Sequence, residues 1–415
     1  MTRDIFKKIL SDKKPFILDG STGVYLMKEG MPNNVCPELW IIENSKILID
    51  LQKRYVGSGS AAVCSPTIGA NRAALKRYDL DSRTEEINRK LVDISKSAVG
   101  DKAYIMGDIS TCGLFMKPYG ETPFEEIYDI FYEQAKILDD AGVDMFIIET
   151  HFNLAETRAA VIAIKDVSDK PVIACMTVDE QGKTMSGNKL SACLNILSSL
   201  DVDAAGCNCS LGPEGILKAL NGAKKYSTVP LVAKANAGKP HGTGKDMYFD
   251  VNAQEFYNAC MELAESGVQI IGGCCGTTPE YIELLKDLKY KENGDISDIS
   301  MIASNEKEIF CIDKDMIDQL TDIEVIECSS NLEEDIMDAL DDDASIIRLH
   351  VNSVADADIL LENSFLISTP LMLYSDNKEA LETALRKYAG RVVIDPECKV
   401  CDDDLRNKYN PVFIQ

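Results

Sequence analysis

The chain has 415 residues, 45% of them hydrophobic and 27% charged, and its 43 Lys and Arg against 68 Asp and Glu give a formal net charge of −25. That length exceeds one ordinary core and that apolar content excludes disorder, which points to a large domain with a smaller one beside it. So anionic a chain repels phosphate backbones and anionic headgroups, which argues against nucleic acid and membrane surfaces as partners.

The first ten residues, MTRDIFKKIL, mix charge with apolar residues and hold no apolar stretch of the signal-peptide kind. No run of about 18 apolar residues exists to span a bilayer. With 14 cysteines in 415 residues, the composition falls well below that of a disulfide scaffold. The expectation is a cytoplasmic chain with reduced thiols, some of them free for metal binding or catalysis.

In chain order, eight short apolar runs read as buried parallel strands: Phe16–Leu18, Ala61–Cys64, Ala103–Met106, Met145–Ile148, Val172–Met176, Ala204–Cys207, Leu231–Ala233 and Gln269–Ile271. Amphipathic stretches lie between them. Thr122–Ala141 carries Pro123 at a predicted first helical position, and Asn252–Ser266 opens on an N-capping residue. Gly142 and Gly267 follow as C-cap candidates. Eight strand–helix units in about 290 residues predict a (β/α)8 TIM barrel over residues 1–295. An open doubly wound sheet is the rival, weakened because no Gly-rich dinucleotide fingerprint follows the first strand.

A polar stretch with Asn293-Gly294, within residues 289–300, reads as a linker. Beyond it, residues 301–415 hold 26 Asp and Glu against 10 Lys and Arg, so a quarter of the chain carries about two thirds of the excess charge. Apolar runs near Ile309–Ile312, Ile346–Leu349, Phe365–Ile367, Leu371–Leu373 and Val392–Ile394 alternate there with acidic helix-like stretches. The prediction is a smaller α/β domain, too short for eight units. The acidic residues Glu333–Asp335 and Asp341–Asp343 read as a solvated helix face or a docking face.

In a barrel, chemistry gathers at the carboxyl ends of the strands. Those ends here are polar and small: Asp19-Gly20 after the first strand, Asp108 in the third, Glu149-Thr150-His151 after the fourth, Cys209 after the sixth, Asn236 after the seventh, and Gly272-Gly273-Cys274-Cys275-Gly276 after the eighth. Adjacent residues point apart, so Cys274 and Cys275 reach one metal only if the flanking glycines let the backbone bend. Three thiolates with an open position suit a catalytic Zn²⁺; the alternative is a pair of small buried thiols. Cys207, two residues before Cys209, shares its strand face by alternation and reads as deeper barrel packing. The lone CxxC of Cys398 and Cys401 is a weak signal. His151 reads as a structural histidine, with substrate contact as its alternative.

Together these segments resemble the homocysteine S-methyltransferase family: ILDGSTG (17–23), SPTIGANR (65–72), GDIS (107–110), GVDMFIIET (142–150), GCNCSLGP (206–213), AKANAG (233–238) and IIGGCCGTTP (270–279). The resemblance covers about residues 10–290 and implies a (β/α)8 barrel with a catalytic zinc on Cys209, Cys274 and Cys275. It implies homocysteine as the methyl acceptor, Asp19 and Glu149 on its α-amino group, backbone amides near Gly20 on its carboxylate, and Asn236 as a placeholder at the open metal position. Three positions depart from the family's pattern: Asn153 near an expected Asp, Val24 in place of a Thr, and Ala61 nearest to a missing strand-2 Asp.

Residues 370–397 resemble part of the pterin-binding barrel of cobalamin-dependent methionine synthase. Tyr374 and Asp395 stand where that barrel has its site Asp and Asn, which implies a truncated segment that does not bind folate. The donor implied is methylcobalamin on a separate corrinoid protein, with a folate-binding subunit as another partner. S-methylmethionine or betaine used directly, and a noncatalytic zinc- or thiol-binding subunit of a split methionine synthase, are the alternatives.

Overall fold

The structure is a computed structural model, and it describes all residues except 13, 244–245, 292–297, 319–322 and 415. The predicted linker dipeptide Asn293-Gly294 and the predicted domain end at 295 lie outside the described residues.

The eight predicted strands form one sheet of parallel strands. They are β1 (Phe16–Ile17), β2 (Ala62–Cys64), β3 (Tyr104–Ile109), β4 (Met145–His151), β5 (Val172–Met176), β6 (Ala204–Asn208), β7 (Leu231–Ala235) and, after a short hairpin of β8 (Pro240–His241) and β9 (Tyr248–Phe249), β10 (Val268–Gly273). Their order, β1-β10-β7-β6-β5-β4-β3-β2, brings β1 and β2 to the two edges. The backbone N–H of Ala61 donates to Ile17 O at 2.7 Å, and the Ser60 hydroxyl donates to Leu18 O at 3.2 Å, which draws those edges together into a nearly closed barrel.

Strand alternation sorts the side chains into two layers. Phe16, Leu18, Ala62, Met106, Met145, Ile147, Ile173, Val232 and Ile270 fill the lumen, and the helix Arg3–Leu10 closes its lower end with Phe6 edge-on to Phe16. The other set, including Val63, Ile105, Phe146, Ile148, Ala205 and Ile271, packs outward under the helices. Cys207 belongs to this outer layer, so it does not share a face with a lumen-pointing residue, as alternation from Cys209 suggested.

Two helix ends differ in detail from expectation. Pro123 is the N-cap of Phe124–Ala141 rather than its first residue, because its ψ of 152° is extended. Gly142 closes that helix at φ 80° as expected, whereas Ser266 caps Ala253–Glu265 and Gly267 follows it. Asn252 opens the latter helix with a reciprocal capping box to Glu255.

Residues 302–413 form a second unit. A hairpin of β11 (Ile302–Ser304) and β12 (Ile309–Cys311) precedes a five-stranded parallel sheet in sequential order: β13 (Ile326–Glu327), β14 (Ile347–His350), β15 (Leu371–Tyr374), β16 (Val393–Ile394) and β17 (Val412–Phe413). The apolar run Phe365–Ile367 is not a strand, since Ser364–Leu366 turn as a 3₁₀ helix. One face of the sheet, with Ile347, Leu349, Leu371, Leu373 and Ile394, packs with Ala357, Leu360, Ala380, Leu381 and Ala384 of the unit's own helices Val354–Asn363 and Lys378–Lys387. On the other, Ile346, Met372, Val393 and Val412 are covered by Ala303 and Phe310 of the hairpin together with Ile312.

The two units meet along the barrel's outer helices. The buried Arg158 guanidinium donates to Leu385 O at 2.9 Å and Arg386 O at 3.1 Å, at the end of helix Lys378–Lys387. Arg386 in turn stacks over Tyr128 at 4.0 Å and pairs with Glu125. No helix among the described residues is long and apolar enough to cross a membrane.

Candidate functional site

At the carboxyl ends of the strands, the barrel opens into a cavity of about 350 Å³. Val24, Leu26, Met31, Pro37, Ile41 and Ile68 give its wall an apolar part, and the wall also holds two polar side-chain clusters.

The first cluster is Cys209, Cys274 and Cys275, whose sulfurs all lie within 4.8 Å of one another. Cys209 Sγ and Cys275 Sγ stand 3.9 Å apart. Alternation along β6 would send Cys209 outward beside Cys207. Instead the strand ends at Asn208, and Cys209 and Ser210 adopt φ of 59° and 61°, which turns the thiol into the cavity. Left-handed backbone at two successive non-glycine residues costs on the order of 1 kcal/mol each and persists only where neighbours hold it. Here Cys209 N–H donates to Lys234 O at 3.0 Å and Leu211 N–H to Cys209 O at 2.6 Å.

On the other side, β10 carries the chain to Gly273. Cys274 N–H donates to Ala235 O at 2.7 Å, and Cys275 N–H donates to the Asn236 side-chain oxygen at 3.1 Å. Gly276 makes the turn at φ 83°. Gly273 is required for proximity rather than for dihedral freedom: a Cβ there would lie 2.1 Å from Thr277 Oγ1. Asn208 ties the site to β4, accepting from Thr150 N–H at 2.8 Å and donating to Thr150 Oγ1 at 2.9 Å. Thr150, at φ 61°, marks an irregularity in the pairing of β4 with β5.

The electrostatics of this trio fit a metal site. The Cys274 and Cys275 thiols hydrogen-bond to Cys209 and lower its pKa to about 3, assisted by the Asn236 side chain. The same contact to Cys209 pushes Cys275 up to about 12 and Cys274 well above the ordinary thiol range. One negative charge is thus accepted readily and the next two are opposed. A bound cation is what lets all three sulfurs ionise together.

The second cluster lines the lumen's upper layer. Following alternation inward, Cys64 on β2, Asp108 on β3, Glu149 on β4 and Lys234 on β7 stand one step above Ala62, Met106, Ile147 and Val232. The Lys234 ammonium is buried, with Glu149 Oε2 at 2.5 Å, Cys64 Sγ at 3.3 Å and Asp19 Oδ1 at 3.7 Å. Gly272 leaves room for its stem, since a Cβ there would lie 3.3 Å from Lys234 Cγ. Burial pushes the carboxyls of Asp19 and Asp108 upward, and Lys234 opposes that shift in both.

The expected site residues divide as follows. Cys209, Cys274, Cys275, Gly20 and Glu149 line the cavity. Asn236 sits against the cysteines with its oxygen engaged by Cys275. Asp19 is buried and directed to the seam, where Oδ2 accepts from Cys64 N–H at 2.9 Å. Ser21 N–H, next to Gly20, donates to Thr277 Oγ1 at 3.2 Å. His151 lies outside the cavity, buried against Phe131 with Nδ1 near Thr157 Oγ1 at 3.2 Å. Cys398 and Cys401 are buried free thiols in the second unit.

Sequence reasoning gives no role to Asp108 and passes over Lys234. Once the register is known, each stands two residues beyond an apolar lumen residue, so its side chain points inward.

Residues 16–288 match the family model described as homocysteine S-methyltransferase. The methionine synthase of Mycobacterium tuberculosis (strain ATCC 25618 / H37Rv) is 28% identical over 259 residues, which is 60% of this chain and 22% of that protein. That of Mycobacterium leprae (strain TN) is 27% identical over 259 residues, 60% of this chain and 21% of its own length. The chain therefore spans about a fifth of the length of these curated relatives. Among solved structures, the homocysteine methyltransferase MmuM from Escherichia coli in its oxidised form shares the fold at a TM-score of 0.57 and 21% identity, over 68% of this chain and 98% of that one. Its metallated form does so at 0.56 and 20%, over the same shares of the two chains.

Proposed function

Because the chain belongs to the homocysteine S-methyltransferase family, we propose that it transfers a methyl group to the thiol of homocysteine, forming methionine, with Cys209, Cys274 and Cys275 as the ligands of a zinc ion. The observation that carries this reading is the convergence of three sulfurs within 4.8 Å in the cavity at the carboxyl ends of the barrel strands. Zinc bound there supplies the Lewis acidity that keeps a substrate thiol as thiolate at neutral pH, where a free thiol of pKa about 8.5 is a poor nucleophile.

The chain's own residues do the rest. Asn236 fixes the Cys275 backbone and hydrogen-bonds Cys209, so it orients two sulfurs. Asn208 locks the β4 and β6 ends against each other and sets the cavity's width. The carboxylates of the lumen's upper layer make the deep wall anionic, suited to a substrate's α-ammonium, and the backbone around Gly20 lies at the wall for its carboxylate. The apolar part of the wall excludes water from the transfer.

The donor in this reading is methylcobalamin on a separate corrinoid protein. What supports it is that the curated relatives the chain matches are named methionine synthase. Residues 301–415 form a separate unit with no folate role in this reading. Their hairpin covers one face of the sheet and meets the barrel helix Leu190–Ser199, where the Ser304 hydroxyl donates to Asn195 Oδ1 at 3.1 Å, and Asp395, at a position expected to meet pterin, is ion-paired to Arg348. A methyl-transfer assay comparing methylcobalamin, S-methylmethionine and betaine as donors to homocysteine tests the proposal. Methionine formed from methylcobalamin supports it, and transfer from either small donor alone refutes the corrinoid part.

A further inference from the structure

The lumen's upper layer holds more carboxylate than its cation neutralises. Lys234 is committed to Glu149 and reaches Asp19. Asp19 is further committed to the β1–β2 seam through Cys64 N–H; its Oδ1 receives no hydrogen bond either, but that oxygen lies 3.7 Å from the Lys234 ammonium and Asp19 does not line the cavity. Asp108, beside Glu149, has no ion pair among the described residues. It is 4% exposed, it lines the same cavity as the three sulfurs, and its Oδ1 receives no hydrogen bond.

A carboxylate oxygen buried without a donor is rare in a folded chain and marks a place where a partner is missing. A carboxylate oxygen of Asp108 lies within 4.8 Å of one from Glu149 and of Cys64 Sγ, so the open acceptor sits in an anionic corner. Burial and the neighbouring Glu149 push the Asp108 carboxyl well up from its ordinary value. An arriving cation with N–H donors offsets both effects, because it satisfies the oxygen and favours the charged form. Homocysteine has such a group on the carbon two methylenes from its sulfur. Its thiol and its ammonium then address the two clusters of one cavity.

Resting on the reading above that homocysteine is the thiol substrate, we propose that Asp108 accepts a hydrogen bond from its α-ammonium, and that Lys234 is a positioning residue that pairs with Glu149 and Asp19 and leaves Asp108 as the unpaired acceptor lining the cavity. Asp108 is thereby the residue that distinguishes an amino-acid thiol from a plain carboxylic thiol.

The test is calorimetric titration of the zinc-loaded full chain with L-homocysteine and with 4-mercaptobutanoate, which is the same molecule without the ammonium. The wild type should prefer homocysteine by about 10- to 100-fold, the range for one buried charge-assisted hydrogen bond. Asp108→Asn should lose most of that preference while binding 4-mercaptobutanoate as the wild type does, and Asp19→Asn should keep the preference. If Asp108→Asn does not accumulate in folded form, Asp108→Ser takes its place. A preference retained in the Asp108 variant, or lost in Asp19→Asn instead, overturns the assignment. So does an equal loss of both thiols in the Asp108 variant, which marks a structural role. Wild-type chain that binds both thiols equally overturns the ammonium receptor alone. Chain that binds neither overturns the methyltransferase reading, and the assignment with it.

Discussion

Replacing Lys234 by Met keeps most of the side-chain volume and removes the ammonium. Lys234 is 2% exposed and Glu149 7%, with 2.5 Å between nitrogen and oxygen. Two unit charges at that separation attract by about 7 kcal/mol at an effective dielectric of about 20. The loss on substitution is smaller, because much of that attraction offsets the cost of taking both charges out of water; breaking a buried pair on one side costs about 3–5 kcal/mol. The sign of the pH dependence follows. Asp19 and Asp108 are already pushed up by burial, and Lys234 lowers both, so the substitution moves them further up. A carboxyl whose folded pKa exceeds its unfolded value of about 4 binds more protons when folded, and the stability it lends falls as pH rises from there toward the folded pKa. The deficit of Lys234→Met should therefore be small near pH 5 and full near pH 8, on the order of 5–10 °C in melting temperature. Adding Glu149→Gln should recover part of it. Thermal unfolding monitored by circular dichroism at both pH values reads this out. A deficit independent of pH, or none at all, would refute the charge accounting in the lumen.

The cysteines and the interface give further expectations. Cys274→Ser should lower zinc content from about one per chain to near zero by metal analysis, while Cys207→Ser, in the outer layer, should retain zinc; the reverse pattern would unseat the ligand assignment. Arg158→Ala removes two donors to helix-end carbonyls and should cost about 1–3 kcal/mol. In calorimetry residues 301–415 should then melt ahead of the barrel, and an unchanged single transition would contradict the role given to that contact. Titration with methyltetrahydrofolate should show no binding, since Asp395, standing where the pterin-binding barrel has its site Asn, is ion-paired to Arg348; micromolar affinity would contradict that reading.

The barrel is legible in the sequence for a physical reason: strands buried on both faces are written as apolar runs, and their functional ends break into Gly, Asn, Cys and carboxylates. The meeting of Cys274 and Cys275 is legible in part: glycines on both sides of adjacent thiols permit the bend that brings both sulfurs to one place, while the spacing alone leaves packing as open as metal binding. The orientation of Cys209 is not, since it depends on left-handed backbone at 209 and 210 that reverses the strand alternation. For the same reason simple alternation puts Cys207 on the wrong face. Asp108 and Lys234 require the register of each strand before their direction can be read, and register comes from pairing across the sheet. The role of Asp19 at the seam depends on which strands close the barrel, a long-range fact with no local signature. In the second unit, Phe365–Ile367 is apolar enough for a strand, yet the segment turns as 3₁₀ at the end of helix Val354–Asn363.

Thiol methylation at a metal held by three cysteines is tested most directly by methionine formation from homocysteine and methylcobalamin. The full chain is assayed before and after zinc removal by a chelator, and again after zinc is restored. Activity should fall with zinc content, return with it, and be absent in Cys274→Ser. Metal-free chain that forms methionine at the full rate would contradict the zinc-thiolate site.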